Sequence, residues 1–424
     1  MEKFIVMGGS RLSGEIKVSG AKNAILPIMA ASLLTKGQST ILQVPMIKDV
    51  LTMQKILTFL GSKGSLSGSV LLIDGEDVEP KEVTESLMRQ LRASNLVIGP
   101  LLSRFRKLKV AYPGGCAIGS RPMDLHLKGF RSLGARVTER YGFIELEAKD
   151  LQGADIHLDF PSVGATENLM MAATLARGTT VIRNAAKEPE IVDLQNYLNA
   201  LGARIKGAGL DTIRIEGVKE LGSAKHTIIP DRIEAGTHMV AAAMTGGDVV
   251  IRNVIADHLE PVIAKLKETG AKIEEYEDGS IRVTAPSRLR AVDCKTLPYP
   301  GFPTDMQPQI MSLAAVAEGT SVIAESIFDN RFKHVDELRR MGANIKVEGR
   351  AAIIKGVPRL SGAFVEATDL RAGAALVLAG LVAEDATVVE KIKHIDRGYE
   401  NMEIKYAPLG ARIIRVNNTK NGGW

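Results

Sequence analysis

One of the two cysteines in this chain stands in a glycine-rich stretch, Pro113-Gly114-Gly115-Cys116-Ala117-Ile118-Gly119-Ser120-Arg121-Pro122. Three glycines so close together predict a loop rather than a strand or helix. A thiol beside a fixed cation and free backbone N–H groups ionises more easily, which suits a reactive acid or nucleophile. The competing reading of Cys116 is a small buried hydrophobe, the commoner fate of a single cysteine.

A second set of polar residues stands just ahead of apolar helical stretches: Lys22-Asn23, Arg92, Ser162 with Glu167-Asn168, Arg232 with Glu234, Thr304-Asp305, and Asp369 with Arg371. Helix capping accounts for Ser162, Thr304 and Asp369. It does not account for Lys22, Arg92, Arg232 or Arg371, because a cation at a helix N-terminus is opposed by the macrodipole. A bound anion would remove that conflict; so would buried ion pairs, such as Arg371 with Asp369. Asp305 reads either as a base or as the partner of an arginine. Arg331 and Arg397 add cations in turn-like settings, Asp329-Asn330-Arg331-Phe332-Lys333-His334 and Asp396-Arg397-Gly398-Tyr399.

The elements that must position these residues repeat six times. Gly61, Gly134, Gly202, Gly270, Gly342 and Gly410 each follow a helical stretch and precede a short β-rich run. Their near-regular spacing of about 70 residues marks helix C-termini in a repeated βαβαββ unit. The first helix of each unit is small and apolar nearly all round, as in Ala374-Ala-Leu-Val-Leu-Ala-Gly-Leu-Val-Ala383, and so is buried on every side. Inner helices and outer strands predict a two-lobed inside-out α/β barrel, three units per lobe. The division expected from turn residues is an N-terminal lobe of residues 22–229, carrying the cysteine loop at about 111–122, and a C-terminal lobe of residues 1–21 plus 230–416. Residues 417–424 read as a loose tail. Two crossings would form a hinge, with ligands expected in the cleft.

Composition narrows the classes. The chain has 424 residues, 45% of them apolar, and a net charge of +5. Its longest apolar run, Ala372 to Ala383, is too short to span a membrane. The start, Met1-Glu2-Lys3-Phe4-Ile5-Val6, lacks the apolar core of a secretory signal, so a cytoplasmic location is expected. Scattered basic residues and few aromatics argue against a nucleic-acid partner. Two distant cysteines and seven unspaced histidines predict neither a disulfide framework nor a metal site.

Six βαβαββ units together with Gly20-Ala21-Lys22-Asn23-Ala24, the Cys116 loop, Pro300-Gly301-Phe302-Pro303-Thr304-Asp305-Met306-Gln307, Asn330-Arg331-Phe332, Ala367-Thr368-Asp369-Leu370-Arg371 and Asp396-Arg397-Gly398-Tyr399 closely resemble the UDP-N-acetylglucosamine enolpyruvyl transferases. The resemblance runs to about Val416, and the cysteine loop separates it from the sister enolpyruvylshikimate phosphate synthases. It implies transfer of the enolpyruvyl group of phosphoenolpyruvate to the 3-hydroxyl of UDP-N-acetylglucosamine, the first committed step of peptidoglycan precursor synthesis, in a monomer or weak oligomer without metal or cofactor. By that resemblance Cys116 is the acid and the site of fosfomycin alkylation, Asp305 the base, and Lys22, Arg121 and Arg397 surround phosphoenolpyruvate, with Asn23 stabilising the intermediate. Arg92, Arg121, Pro122, Met123, Asp124, Leu125, Ser162, Val163, Gly164, Asp305 and Ile327 would contact the sugar nucleotide, and Arg331, Asp369 and Arg371 add further substrate contacts. The alternatives are a 3-phosphoshikimate 1-carboxyvinyltransferase and a catalytically silent sugar-nucleotide-binding paralogue. Pro408, ahead of the last Leu409-Gly410, is expected to shorten its helix.

Overall fold

A computed structural model of the chain describes residues 2–113 and 123–417. They fall into two compact units, one of residues 2–19 and 230–417, the other of residues 20–113 and 123–229. Each has its own apolar core.

The repeat predicted from the glycines is visible in the sheets. Strand Asp155–His157 runs parallel to Thr179–Arg183, which pairs antiparallel with Thr212–Glu216, which in turn pairs with Arg204–Lys206. Thr180 and Ile182 point into the core while their neighbours do not, the period-2 alternation of a sheet with one wet face. The same order recurs in four more sheets. In the sixth, the leading strand is reduced to a single parallel bridge from Val83 to Val110 beside the three strands Lys107–Ala111, Phe143–Glu147 and Arg136–Arg140.

Two sheets draw a strand from a distant part of the chain. In the unit of residues 20–229, Ala224–Thr227 lies parallel to Gln38–Leu42, so the end of the segment completes the sheet near its start. In the other unit, Glu2–Met7 pairs with Ala386–Glu390 and Arg412–Asn417, and Ser13–Lys17 lies parallel to Asp248–Arg252. The last strand extends one residue into the expected tail, because Asn417 pairs with Glu2; residues 418–424 lie outside those described.

The inner helices are buried as predicted. Arg232–Met244 is buried at every position, and Arg371 to Leu381 in the helix Leu370–Val382 likewise. These two helices and Gln307–Val316 pack on one another. Small residues permit close approach, and the Ser312 hydroxyl donates to the Ala375 carbonyl across one contact at 3.0 Å. The other unit repeats the device: Ser103 of Ile98–Phe105 donates to Ala172 of Val163–Ala173 at 2.9 Å. The six repeat glycines all have φ between 89° and 107°, the left-handed conformation that ends a helix without a Cβ penalty. Gly217 and Gly356 serve a different purpose, since a Cβ at either would lie 1.6 Å from the carbonyl oxygen of Ala176 or Ala317. Pro408 acts as expected: the last helix covers only Met402–Tyr406 and gives way to a 3-10 turn at Ala407–Leu409. Among the described residues, no helix is long and apolar enough to cross a membrane.

Candidate active site

Asp305 sits in the 3-10 turn Thr304–Met306 that leads into the buried helix Gln307–Val316. Its side chain is about a quarter exposed. Two almost fully buried guanidiniums hold it: Arg331 Nη2 donates to Oδ1 at 3.1 Å and Arg371 Nε to Oδ2 at 3.2 Å. Arg371 also lies over the Tyr399 ring, 5.3 Å from its centroid. Burial works against the charge of Arg371, but Tyr399, Asp305 and Asp231 outweigh it and hold the guanidinium protonated. Tyr399 is fixed in turn by Thr237 at 2.9 Å and Gln309 at 3.3 Å.

The ion pair considered for Arg371 therefore has a different partner from Asp369. The Asp369 carboxylate caps its own helix, accepting from the backbone N–H groups of Arg371 and Ala372 at 2.8 and 3.0 Å. This cap turns the carboxylate onto the first turn and leaves the Arg371 side chain to reach Asp305. Thr304 also departs from its expected capping role: its hydroxyl donates to Glu325 at 2.8 Å. Ile327 lies on the loop after strand Thr320–Ala324, with its backbone N–H on the same Glu325. Arg397 ends the 3-10 segment Ile392–Arg397, and its neighbour Asp396 is clamped by Arg415 at 2.7 Å. His334 is fully buried beside Arg331 and Asp369, and burial pushes its pKa down to about 4. Lys333 is exposed.

In the other unit, Lys22 opens the helix Lys22–Ala31, whose N-cap Ala21 offers no side-chain acceptor. The conflict with the macrodipole is met by Asp49, 2.7 Å from Lys22 Nζ, with both side chains almost completely buried. Asn23 follows, half-buried. Arg92 begins the 3-10 segment Arg92–Val97, and its Nη2 lies 3.8 Å from the sulfur of Met123, a sulfur that Asn95 also approaches at 3.4 Å. Asp124 and Leu125 open the helix Asp124–Ser132, Asp124 exposed and Leu125 half-buried. Ser162 caps Val163–Ala173 through Ala165 N at 3.3 Å, as predicted, which places Val163 and Gly164 in the first turn.

Behind these residues lies His126, which nothing in the sequence singled out. Its Nδ1 is 3.1 Å from Asn168 Nδ2, and Asn168 Oδ1 accepts from Gly99 N at 2.8 Å. Burial, helped by Arg92, pushes its pKa down to about 3. The ring is thus neutral when folded and protonates more readily when unfolded. Stability from this source is full above about pH 6.5 and is lost as the pH falls through the window from about 6.5 to 3. Denaturant midpoints of the wild type are expected to fall between pH 7 and pH 5 more steeply than those of His126→Gln; parallel decline would contradict this.

Cys116, Arg121 and Pro122 lie outside the described residues. The other cysteine, Cys294, is buried, and burial pushes its thiol up to about 12, so it stays a thiol at neutral pH. Among the described residues no group of His, Cys, Asp and Glu is arranged to hold a metal ion. What these units offer is a carboxylate between fixed guanidiniums in one, and a buried ammonium at a helix N-terminus in the other.

A family model described as EPSP synthase (3-phosphoshikimate 1-carboxyvinyltransferase) matches residues 6–405. UDP-N-acetylglucosamine 1-carboxyvinyltransferase 1 of Carboxydothermus hydrogenoformans is 61% identical over 98% of this chain and 99% of its own. The protein of that name from Caldanaerobacter subterraneus is 59% identical over 97% and 99%. The enolpyruvyl transferase NikO of Streptomyces tendae superposes with a TM-score of 0.88 at 25% identity over 98% of both chains. EPSP synthase of Acinetobacter baumannii shares the fold, with a TM-score of 0.76 at 19% identity over 98% and 100%. Helices inside, sheets outside, a six-fold repeat and full-length likeness at up to 61% identity converge on one conclusion: the chain belongs to the EPSP synthase family.

Proposed function

We propose that the protein transfers the enolpyruvyl group of phosphoenolpyruvate to the 3-hydroxyl of UDP-N-acetylglucosamine, releasing phosphate and committing the sugar to peptidoglycan precursor synthesis. The observation that carries this reading is the likeness in sequence, 55–61% identity over nearly the whole chain, to relatives named for that reaction.

The chemistry has two halves. In the addition, the sugar hydroxyl gives its proton to a base and its oxygen bonds to C2 of phosphoenolpyruvate, while C3 takes a proton from an acid. In the elimination, C3 loses a proton and the C2–O bond to phosphate breaks, which restores the double bond. Asp305 is the base; the two arginines fix its orientation, so the acceptor lone pair is aimed before substrate arrives. Cys116 supplies the acid. Lys22, Arg121 and Arg397 carry positive charge to phosphate and carboxylate, and Asn23 donates to the intermediate. Arg92, Met123 to Leu125, Ser162 to Gly164 and Ile327 bind the sugar nucleotide, with Arg331, Asp369 and Arg371 completing the substrate contacts. The two lobes of residues 22–229 and of 1–21 plus 230–416 act in the cytoplasm, as a monomer or weak oligomer without metal or cofactor.

Phosphate release tests the reading. It is expected with phosphoenolpyruvate plus UDP-N-acetylglucosamine and not with shikimate 3-phosphate. Release only with the shikimate acceptor, or with neither, would overturn it.

A further inference from the structure

Glu325 is a buried carboxylate, 1% exposed, that pairs with no cation among the described residues. Leaving a charge in that state is costly unless hydrogen bonds replace its water. Four donors do so here. Oε1 accepts from the Thr296 hydroxyl at 2.8 Å, from Ile327 N at 2.8 Å and from Phe328 N at 3.2 Å, and Oε2 accepts from the Thr304 hydroxyl at 2.8 Å. Thr296 Oγ1 then accepts from Ser326 N at 2.9 Å.

Three of these donors come from two segments that meet at Asp305. Thr304 is its immediate neighbour in the turn. Ile327 and Phe328 begin the loop that carries Arg331, whose guanidinium lies 5.8 Å from the Phe328 ring centroid and donates to Asp305 Oδ1. One carboxylate therefore ties the backbone beside Asp305 to the loop that supplies an arginine to it. An apolar residue at 325 would leave all four donors without this acceptor, so packing alone does not explain a glutamate here.

We propose that Glu325 is a positioning residue for Asp305, holding the carboxylate in the orientation in which it accepts the proton of the acceptor hydroxyl. This rests on the function proposed above. Misplacement of a reacting group by about 1 Å costs on the order of 100-fold in rate, so a tie of this kind has a measurable effect without touching substrate.

The experiment is a double-mutant cycle read by phosphate release from phosphoenolpyruvate and UDP-N-acetylglucosamine. Thr304→Val removes one hydroxyl and keeps the side-chain shape, so it reports even if Glu325→Ala does not fold. We expect Thr304→Val to lower kcat/KM about tenfold and Glu325→Ala at least about 30-fold. Glu325→Gln keeps an oxygen acceptor for the loop N–H groups and turns its amide N–H to the Thr304 hydroxyl, which then accepts, so it is expected to stay within about threefold of wild type. In an Asp305→Asn background, where the base is already gone, the Thr304→Val effect is expected to shrink below about twofold. Equal losses in both backgrounds, or a Thr304→Val enzyme that matches wild type, would overturn the proposal while leaving the function intact. An inactive wild type would overturn both.

Discussion

Asp305→Asn is expected to lower kcat by about 10²–10⁴-fold while the protein remains folded. Asparagine keeps an oxygen to accept from one arginine, but its amide has no basic lone pair for the sugar hydroxyl. The loss should fall on kcat more than on KM, because the missing interaction is made in the transition state. Asp305→Ala tests a different aspect of the same residue. Arg331 and Arg371 are 2% and 1% exposed, and both donate to this carboxylate. Removing it leaves two buried guanidiniums without their common counter-ion, at a cost of about 3 kcal/mol. Denaturant titration should therefore separate Ala from Asn by stability, although both are nearly inactive. A folded Asp305→Asn enzyme with wild-type turnover would show that the proton goes elsewhere.

The second large effect concerns Lys22. Lys22→Met is expected to lower kcat/KM for phosphoenolpyruvate by about 10²–10³-fold, the usual cost of losing one fixed charge against a developing anion. The same change leaves Asp49 buried without the ammonium 2.7 Å away, which should cost about 3–5 kcal/mol of stability in the unit of residues 20–229. Replacing both, as Lys22→Met with Asp49→Leu, puts apolar groups of similar volume where the pair was and should restore most of that stability. Activity should not return with it. Recovery of turnover in the double variant would show that Lys22 serves the fold alone.

Much of the fold was legible in the chain because its cues are local. A glycine after a helix reports a left-handed turn, and all six repeat glycines adopt one. An all-round apolar helix reports burial, and Arg371 to Leu381 is buried throughout. Ser162 and Asp369 could be assigned as caps because a cap bonds within its own first turn. Pro408 could be assigned as a helix breaker for the same reason.

Other features were hidden because they depend on residues far apart in sequence. Asp305 and Arg371 are 66 positions apart, so the spacing that suggested Arg371 with Asp369 pointed to the wrong carboxylate. Thr304 carries the sequence mark of a cap, yet its hydroxyl serves Glu325, 21 residues on. Glu325 itself looks like any polar residue after a strand; only folding removes it from water and converges four donors on it. His126 and Asp49 lay in mixed-polarity helical stretches, and the chain gives no sign that either side chain is buried.

The sequence by itself determined the repeat, the inner helices and the residue types available for chemistry, because helix ends and amphipathic periods are set by neighbours a few positions away. The tertiary structure alone decided which charges are paired, and so which carboxylate is oriented and which ammonium is buried. Electrostatic interactions act through space and strengthen as water is excluded, and no spacing along the chain records which side chains folding will bring together.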